Sequence, residues 1–266
     1  MTRIVSIALL AGLAVCTGCA SYVAPGRAAD MSTFTKGAAA EVQSTPRDPT
    51  DPAVRAVLAA KPQAAFPTGV AVVRVQESGY RTRTAAGYGG GKYCVVTTRD
   101  VEKDEHFDRL SRLPQISGVA PLNRLLLPSL FQSDLELRQA AAALRADVLL
   151  VYTLDTTFRI DESAAPLTVI SLGLAPNKTA RVITTASAVL LDTRSGYVYG
   201  VAESTEKSSQ LTSSWTSEET VDQSRQRTET AAFDKLVAEL EKTWPRVVSQ
   251  YAGGTQTGTV YPTAQK

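Results

Sequence analysis

The chain has 266 residues, of which 44% are hydrophobic, 20% charged and only 6% aromatic, the composition of a globular protein with room for one domain of moderate size. Its 28 basic and 26 acidic residues leave a formal net charge of +2, which argues against electrostatic capture of nucleic acid, since that requires a clustered basic surface. One histidine and three cysteines, two of them within the first nineteen residues, keep the inventory for metal or nucleophilic chemistry small.

Arg3, an apolar run over residues 4–15 and small residues up to Cys19 have the layout of a signal peptide, predicted over residues 1–18. The run falls short of the roughly 20 residues that a spanning helix needs. Its end, Cys16-Thr17-Gly18-Cys19-Ala20-Ser21, resembles the lipobox of bacterial lipoproteins, although Cys16 stands where a leucine-like residue is usual. The resemblance implies that Cys19 is lipidated and becomes the mature N-terminus; the alternative is an ordinary secretory signal cut near Ala20 or Ala24. Acyl chains contribute about 0.8 kcal/mol per buried methylene, so they would anchor the protein without a membrane span. By the same resemblance, Ala20 after the cysteine, in place of aspartate, implies the outer membrane, with the domain facing the periplasm.

Residues 19–65 are rich in Ala, Thr, Pro and Ser and read as a flexible tether, with a short helix over 54–60. Some forty such residues have a typical end-to-end distance on the order of 35 Å. The alternative is that the tether wraps onto the domain. The folded domain is expected over residues 66–251. Val70-Ala71-Val72-Val73-Arg74-Val75 and Tyr93-Cys94-Val95-Val96 read as strands. Gly87-Tyr88-Gly89-Gly90-Gly91-Lys92 between them lacks the glycine at 86 and the Ser or Thr at 93 of a phosphate loop, so a mobile connection is expected.

A helix is expected over 105–113. Residues 114–129 follow, with Leu122, Leu125, Leu126 and Leu127 apolar enough to be buried or to form a contact surface. Ser133 and Glu136 have the spacing of a capping box, which starts a helix rich in small residues. That helix feeds Val148-Leu149-Leu150-Val151-Tyr152, an unbroken apolar run of the kind covered on both faces. Residues 156–161 extend the run as an exposed ribbon. Residues 167–174 and 180–191 flank a turn composition at 175–178 and are expected to pair as a hairpin. Asp192-Thr193-Arg194-Ser195-Gly196 is a second turn, in which Asp192 can bond the backbone ahead and Gly196 can take positive φ. Phe233, Leu236, Val237, Leu240 and Trp244 lie on one face of a closing helix over 217–244, which Pro245 should end. A disordered tail is expected over 252–266.

A strand Val70-Ala71-Val72-Val73, a helix closing on Ala146-Asp147-Val148-Leu149-Leu150-Val151, the hairpin around residues 192–196 and an amphipathic last helix together resemble a superfamily of envelope lipoproteins. It includes the curli-secretion channel subunit and the outer-membrane activators of penicillin-binding proteins; the N-terminal domain of the Tol-system propeller protein is more distantly similar. The resemblance covers residues 67–248 and implies an α+β fold, a mixed and largely antiparallel sheet with helices packed on it. It carries no catalytic residue set.

The chemistry in the sequence is sparse. His106, in Asp104-Glu105-His106-Phe107-Asp108, lacks a second histidine or a neighbouring cysteine for a zinc site and reads as part of a solvated helix start. No serine sits in Gly-x-Ser-x-Gly. Cys94, inside an apolar strand, reads as a buried inert thiol. No catalytic residue, metal or cofactor is expected. The function expected is that of a non-enzymatic envelope lipoprotein that binds or scaffolds another envelope protein or assembles with itself. The surfaces expected for this are Leu125, Leu126, Leu127 and Phe131, and Val169, Ile170 and Leu172 on the 167–180 ribbon. An oligomeric outer-membrane secretion channel subunit is the first alternative, and a periplasmic hydrolase using His106 the second.

Overall fold

The computed structural model describes residues 27–35, 51–162, 178–212 and 218–253. The elements are α1 (Ser32–Thr35), α2 (Pro52–Ala59), β1 (Thr68–Gln76), β2 (Gly87–Tyr88), β3 (Gly90–Gly91), β4 (Cys94–Val96), α3 (Asp104–Ser111), β5 (Ile116–Pro121), a 3-10 turn Arg124–Leu126, β6 (Leu130–Phe131), α4 (Leu135–Ala143), β7 (Val148–Glu162), β8 (Lys178–Asp192), β9 (Val198–Thr212) and α5 (Glu218–Tyr251).

Seven strands form one sheet in the order β2-β4-β1-β7-β8-β9, with β5 also paired to β1. β1 runs parallel to β5 and β7, and the other pairs are antiparallel. This is the expected α+β fold: a mixed, largely antiparallel sheet with helices packed on it. The unbroken apolar runs follow from coverage of both faces. Val70, Val72, Val148 and Leu150 pack with Phe233, Leu236 and Leu240 of α5. Ala71, Val73, Leu149 and Val151 pack with Leu137, Ala140 and Ala141 of α4.

Local signals are realised where local bonds suffice. The Ser133 hydroxyl accepts from Leu135 N–H, and the Glu136 carboxylate accepts from the Ser133 N–H and hydroxyl, so the two side chains bond reciprocally across the helix start, with Asp134 at the N-cap. Asp192 Oδ1 accepts from the N–H groups of Arg194 and Ser195, and Gly196 has φ +70°.

Four expectations are corrected. β8 pairs with β7 over fifteen positions, from Val148↔Asp192 to Glu162↔Lys178, and on its other side with β9, where the sequence suggests a hairpin with residues 167–174. Those residues lie outside the described residues, and Lys178, placed in a turn by its composition, begins a strand. α5 continues through Pro245 to Tyr251. A proline inside a helix removes one backbone bond and crowds the preceding turn, but the turn beyond it buries Val247 and sets Tyr251 against Tyr197 and Tyr199, which offsets that cost. The glycine-rich connection is ordered: β2 pairs with β4 and β3 with β6. At Gly91, with φ +109°, a Cβ would stand 2.2 Å from the Phe131 carbonyl oxygen, so no other residue permits this approach. His106 is buried, not solvated.

Two described stretches of residues 19–65 lie on the domain. Ala29 N–H donates to Thr153 Oγ1 at 3.0 Å, and Phe34 is fully buried against Tyr93, with ring centroids 5.0 Å apart. Further along, Gln63 N–H donates to Asp192 Oδ2, Ala64 N–H to Tyr199 Oη, and Phe66 meets Trp244. Burying one phenylalanine contributes about 1.5–3 kcal/mol, which together with the backbone bonds of the segment offsets part of its ordering entropy. The predicted signal peptide with Cys19, and most of the predicted tail, lie outside the described residues.

Candidate functional site

Arg74 interrupts the apolar run of β1, and its guanidinium is buried where α5 crosses the sheet. Nη1 donates to Asp100 Oδ1 at 3.0 Å and lies 3.6 Å from Glu102 Oε1; Nη2 donates to Tyr80 Oη at 2.8 Å and lies 3.6 Å from Glu229 Oε2. From α5, Asp222, Arg225 and Glu229 turn toward the same place. Arg225 Nε donates to Asp222 Oδ1 at 2.9 Å, Nη1 to Glu229 Oε2, and Nη2 to Thr84 Oγ1 and Asp100 Oδ2. Thr156 of β7 donates to Glu229 Oε1 at 2.8 Å, and Tyr152 donates to Glu102 Oε1 at 2.6 Å.

This network holds two arginines and four carboxylates almost wholly out of water. A buried charge is tolerable only when paired and hydrogen-bonded. Burial raises the Glu229 carboxyl, against the pull of Arg74 and Arg225. For Asp100 burial works in the same direction, yet Arg74, the Thr84 hydroxyl and Arg225 win and hold its carboxyl below the usual range. Burial pushes the Tyr80 phenol up to about 12. Each arginine is engaged by carboxylates on other elements, so the network ties β1, β7, the 80–102 connections and α5 together.

Beside it opens a groove of about 720 Å³ lined by Asp100, Lys103, His106, Gln226, Arg227 and Asp234. His106 Nδ1 accepts from Lys103 N–H at 3.1 Å, its Nε2 lies 3.5 Å from Asp234 Oδ1, and its ring meets Phe233 edge-on. Both nitrogens are therefore directed at groups of the protein itself. Burial lowers the His106 pKa, only partly countered by Asp234. Arg109 of α3 closes the same seam, bonding Asp234 Oδ1 and, through two nitrogens, the carboxylate of Glu241. Among the described residues, no group of three or more His, Cys, Asp or Glu could hold a metal ion. The Cys94 thiol is buried, and burial raises its pKa.

The sequence-predicted contact surface is divided by the fold. Leu125 is 92% exposed and Leu126 37% exposed. Leu127 and Phe131 are buried, Phe131 stacked on Tyr93 with centroids 5.0 Å apart, so these two belong to the core and not to a surface. The physical reason is the 3-10 turn, which reverses the chain so that Leu122 and Leu127 on either side of it point inward. Val169, Ile170, Leu172 and Cys19 lie outside the described residues.

A different surface stands out. β7, β8 and β9 are each fifteen residues long, about 50 Å at strand rise, while β1 pairs with β7 only as far as Val151. Beyond that point the three strands continue as a ribbon. α5 covers one face of its root, where Ser204 donates to the Ala232 carbonyl and Lys235 pairs with Glu206. The other face is polar: Asp155, Thr157, Glu203, Thr205 and Lys207 are exposed, Thr185 and Thr205 share a hydroxyl bond at 3.0 Å, and Ser187 donates to Glu203 at 3.1 Å. β9 is the terminal strand of the sheet, with no strand on its outer side among the described residues.

No family model matches the chain, and no curated protein matches it. Among solved structures, a Xanthomonas campestris protein of family DUF330 is 14% identical, with a TM-score of 0.33, 78% of this chain and 95% of that chain being covered. A neuraminyllactose-binding hemagglutinin homologue from Helicobacter pylori is 9% identical, TM-score 0.35, with 71% and 94% covered. The PelC dodecamer from Paraburkholderia phytofirmans is 12% identical, TM-score 0.30, with 68% and 92% covered.

Proposed function

We propose that the protein is a non-enzymatic outer-membrane lipoprotein, anchored through Cys19, whose periplasmic domain binds another envelope protein or a copy of itself. The observation that carries the binding role is the β7–β9 ribbon. It extends past the packed core, presents a polar face to solvent, and ends on a long strand with no outer neighbour among the described residues. A sheet edge of this kind offers main-chain donors and acceptors to any extended partner. The charged groups elsewhere support the non-catalytic reading: Arg74, Arg225 and Glu229 bond one another and their neighbours, and both His106 nitrogens face protein groups. The lipobox-like residues 16–21 and the envelope-lipoprotein resemblance support the location. Among the described residues, the exposed ribbon positions Asp155, Thr157, Glu203, Thr205 and Lys207 are polar, unlike the apolar band a lipid-facing barrel strand carries, which favours binding over the channel alternative.

The test is photo-crosslinking in cells from Thr157 and Thr205, with Arg112 as a control position away from the ribbon, together with mass analysis of the N-terminus. The reading expects protein adducts at 157 or 205, few at 112, and an acylated Cys19. Adducts at none of the ribbon positions would overturn the binding role, and an unmodified or absent Cys19 would overturn the anchor.

A further inference from the structure

We infer that the β9 edge pairs with the β9 edge of a second copy, antiparallel about a two-fold axis at Thr205, joining two ribbons into one continuous sheet. The inference rests on the reading of the ribbon as the binding surface and names its partner. Three observations lead to it. First, β9 is a long outermost strand: beyond the irregularity between Leu190 and Leu191, its ladder to β8 runs regularly from Gly200 to Thr212, so its outer backbone groups form an equally regular template. Second, the exposed face of that edge carries Val201, Glu203, Thr205, Lys207 and Ser209. Val201 is 63% exposed, the one large apolar side chain there. Third, neither Glu203 nor Lys207 has an oppositely charged partner among the described residues. The Glu203 carboxylate has only the Ser187 hydroxyl.

An isologous contact requires the strand to be complementary to itself. Centred on Thr205, antiparallel pairing sets Glu203 opposite the second copy's Lys207 and Lys207 opposite the second copy's Glu203, with threonine facing threonine on the axis and Val201 against Ser209. Opposite charges directly across a ladder stabilise it, and like charges destabilise it. The neighbouring registers do less well on this count: an axis at 203 opposes two glutamates, one at 206 two Glu206 side chains and one at 207 two lysines, while one at 204 sets Glu203 against Thr205 and Lys207 against Val201 and forms no charge pair. The charges that guard this edge against unspecific pairing therefore favour the register centred on Thr205, where two opposite-charge pairs form. Ser187 and Thr185 of β8 hold the Glu203 and Thr205 side chains in place before a partner arrives, which lowers the ordering cost of association.

The test uses the full chain in detergent and follows association by sedimentation equilibrium. The expected result is a concentration-dependent dimer. Glu203→Lys and Lys207→Glu should each weaken it about tenfold or more, and the double exchange should restore it, since two reciprocal pairs change sign together. Thr205→Cys should form a disulfide-linked dimer on mild oxidation well above the wild-type baseline, in which the free cysteine among the described residues is the buried Cys94, because directly opposed Cα atoms lie about 4.5–5.5 Å apart. Thermal melts of each variant separate lost association from lost folding. A protein that stays monomeric with no extra crosslink at 205, or a dimer indifferent to both charge reversals, overturns the inference. If crosslinks in cells from Thr205 recover only a different protein, self-pairing falls and the binding role of the ribbon stands; if positions 157 and 205 recover nothing at all, both fall.

Discussion

Arg225→Met tests the buried network most sharply. Arg225 has no exposed surface, and its three guanidinium nitrogens serve Asp222, Glu229, Asp100 and Thr84. Methionine fills much of the same volume but removes the positive charge, so Glu229 and Asp222 lose their nearest cation and Asp100 retains only Arg74. Breaking a buried ion pair from one side costs about 3–5 kcal/mol, because the remaining charges stay buried without compensation. For a domain of this size 1 kcal/mol moves the melting temperature by about 2–4 °C, so a fall on the order of 10 °C is expected. Glu229→Gln should cost far less, about 1 kcal/mol: burial already favours the uncharged form of Glu229, and an amide oxygen can still accept from Thr156 and Arg225. Urea denaturation with both the midpoint and the slope fitted is the appropriate assay, since a guanidinium salt would screen charges while it unfolds. A loss below about 1 kcal/mol for Arg225→Met, or a larger loss for Glu229→Gln than for Arg225→Met, would refute the account of the network as the pin between α5 and the sheet.

His106 makes stability pH-dependent: burial lowers its folded pKa below the unfolded value, so the neutral form carries the stability, which is full at pH above the ordinary histidine range and declines as pH falls through it toward 5. Asp234 and Glu102 oppose this and Arg109 and Lys103 reinforce it, and His106→Gln should flatten the urea midpoint against pH between about 5 and 7.5. Phe131→Ala should cost about 3–5 kcal/mol by opening a cavity against Tyr93, whereas Leu125→Ser should change the urea midpoint by less than about 0.5 kcal/mol equivalent. Gly91→Ala, forced onto φ +109° with its Cβ against the Phe131 carbonyl, should lower the melting temperature by an amount equivalent to about 1–3 kcal/mol, and more than Gly118→Ala, where a Cβ meets nothing within 4 Å.

Elements governed by nearby residues could be read from the chain. The Ser133 and Glu136 bonds and the Asp192–Gly196 turn close within five residues, and the two-sided burial of β1 and β7 leaves its mark as uninterrupted apolar runs. Choices decided by distant packing could not. Residues 167–174 and 148–162 are both acceptable strands beside β8, and nothing local says which one pairs with it; the register from Val148↔Asp192 onward is set by Leu149, Val151, Val189 and Leu191 meeting over α4. Pro245 obeys its local rule in isolation and loses to the burial of Val247 and the contact of Tyr251 with two tyrosines. Leu127 and Leu125 are chemically the same, and only the turn between them makes one core and the other surface.

The charged network did leave a signal, at the spacing by which the core face of α5 was recognised. Stepping back from Leu240 through Leu236 and Phe233 by threes and fours reaches Glu229, Arg225 and Asp222, on the stripe that faces the sheet. Read by residue type, these three are solvated charges; read by position, they are interior. The sheet changes character at the same level, since Thr156 and Thr184 sit beneath α5 where Leu154 and Ala186 sit one step nearer the core. A polar interior there has a structural consequence. Apolar residues at the root of the ribbon would leave a sticky inner face wherever the strands outrun the helix, whereas the Thr156–Thr184 hydroxyl bond and the Thr156–Glu229 bond let the strands pass from core to solvent. The same device that hid the network from a reading by composition is what allows β9 to project as an ordered, water-compatible edge.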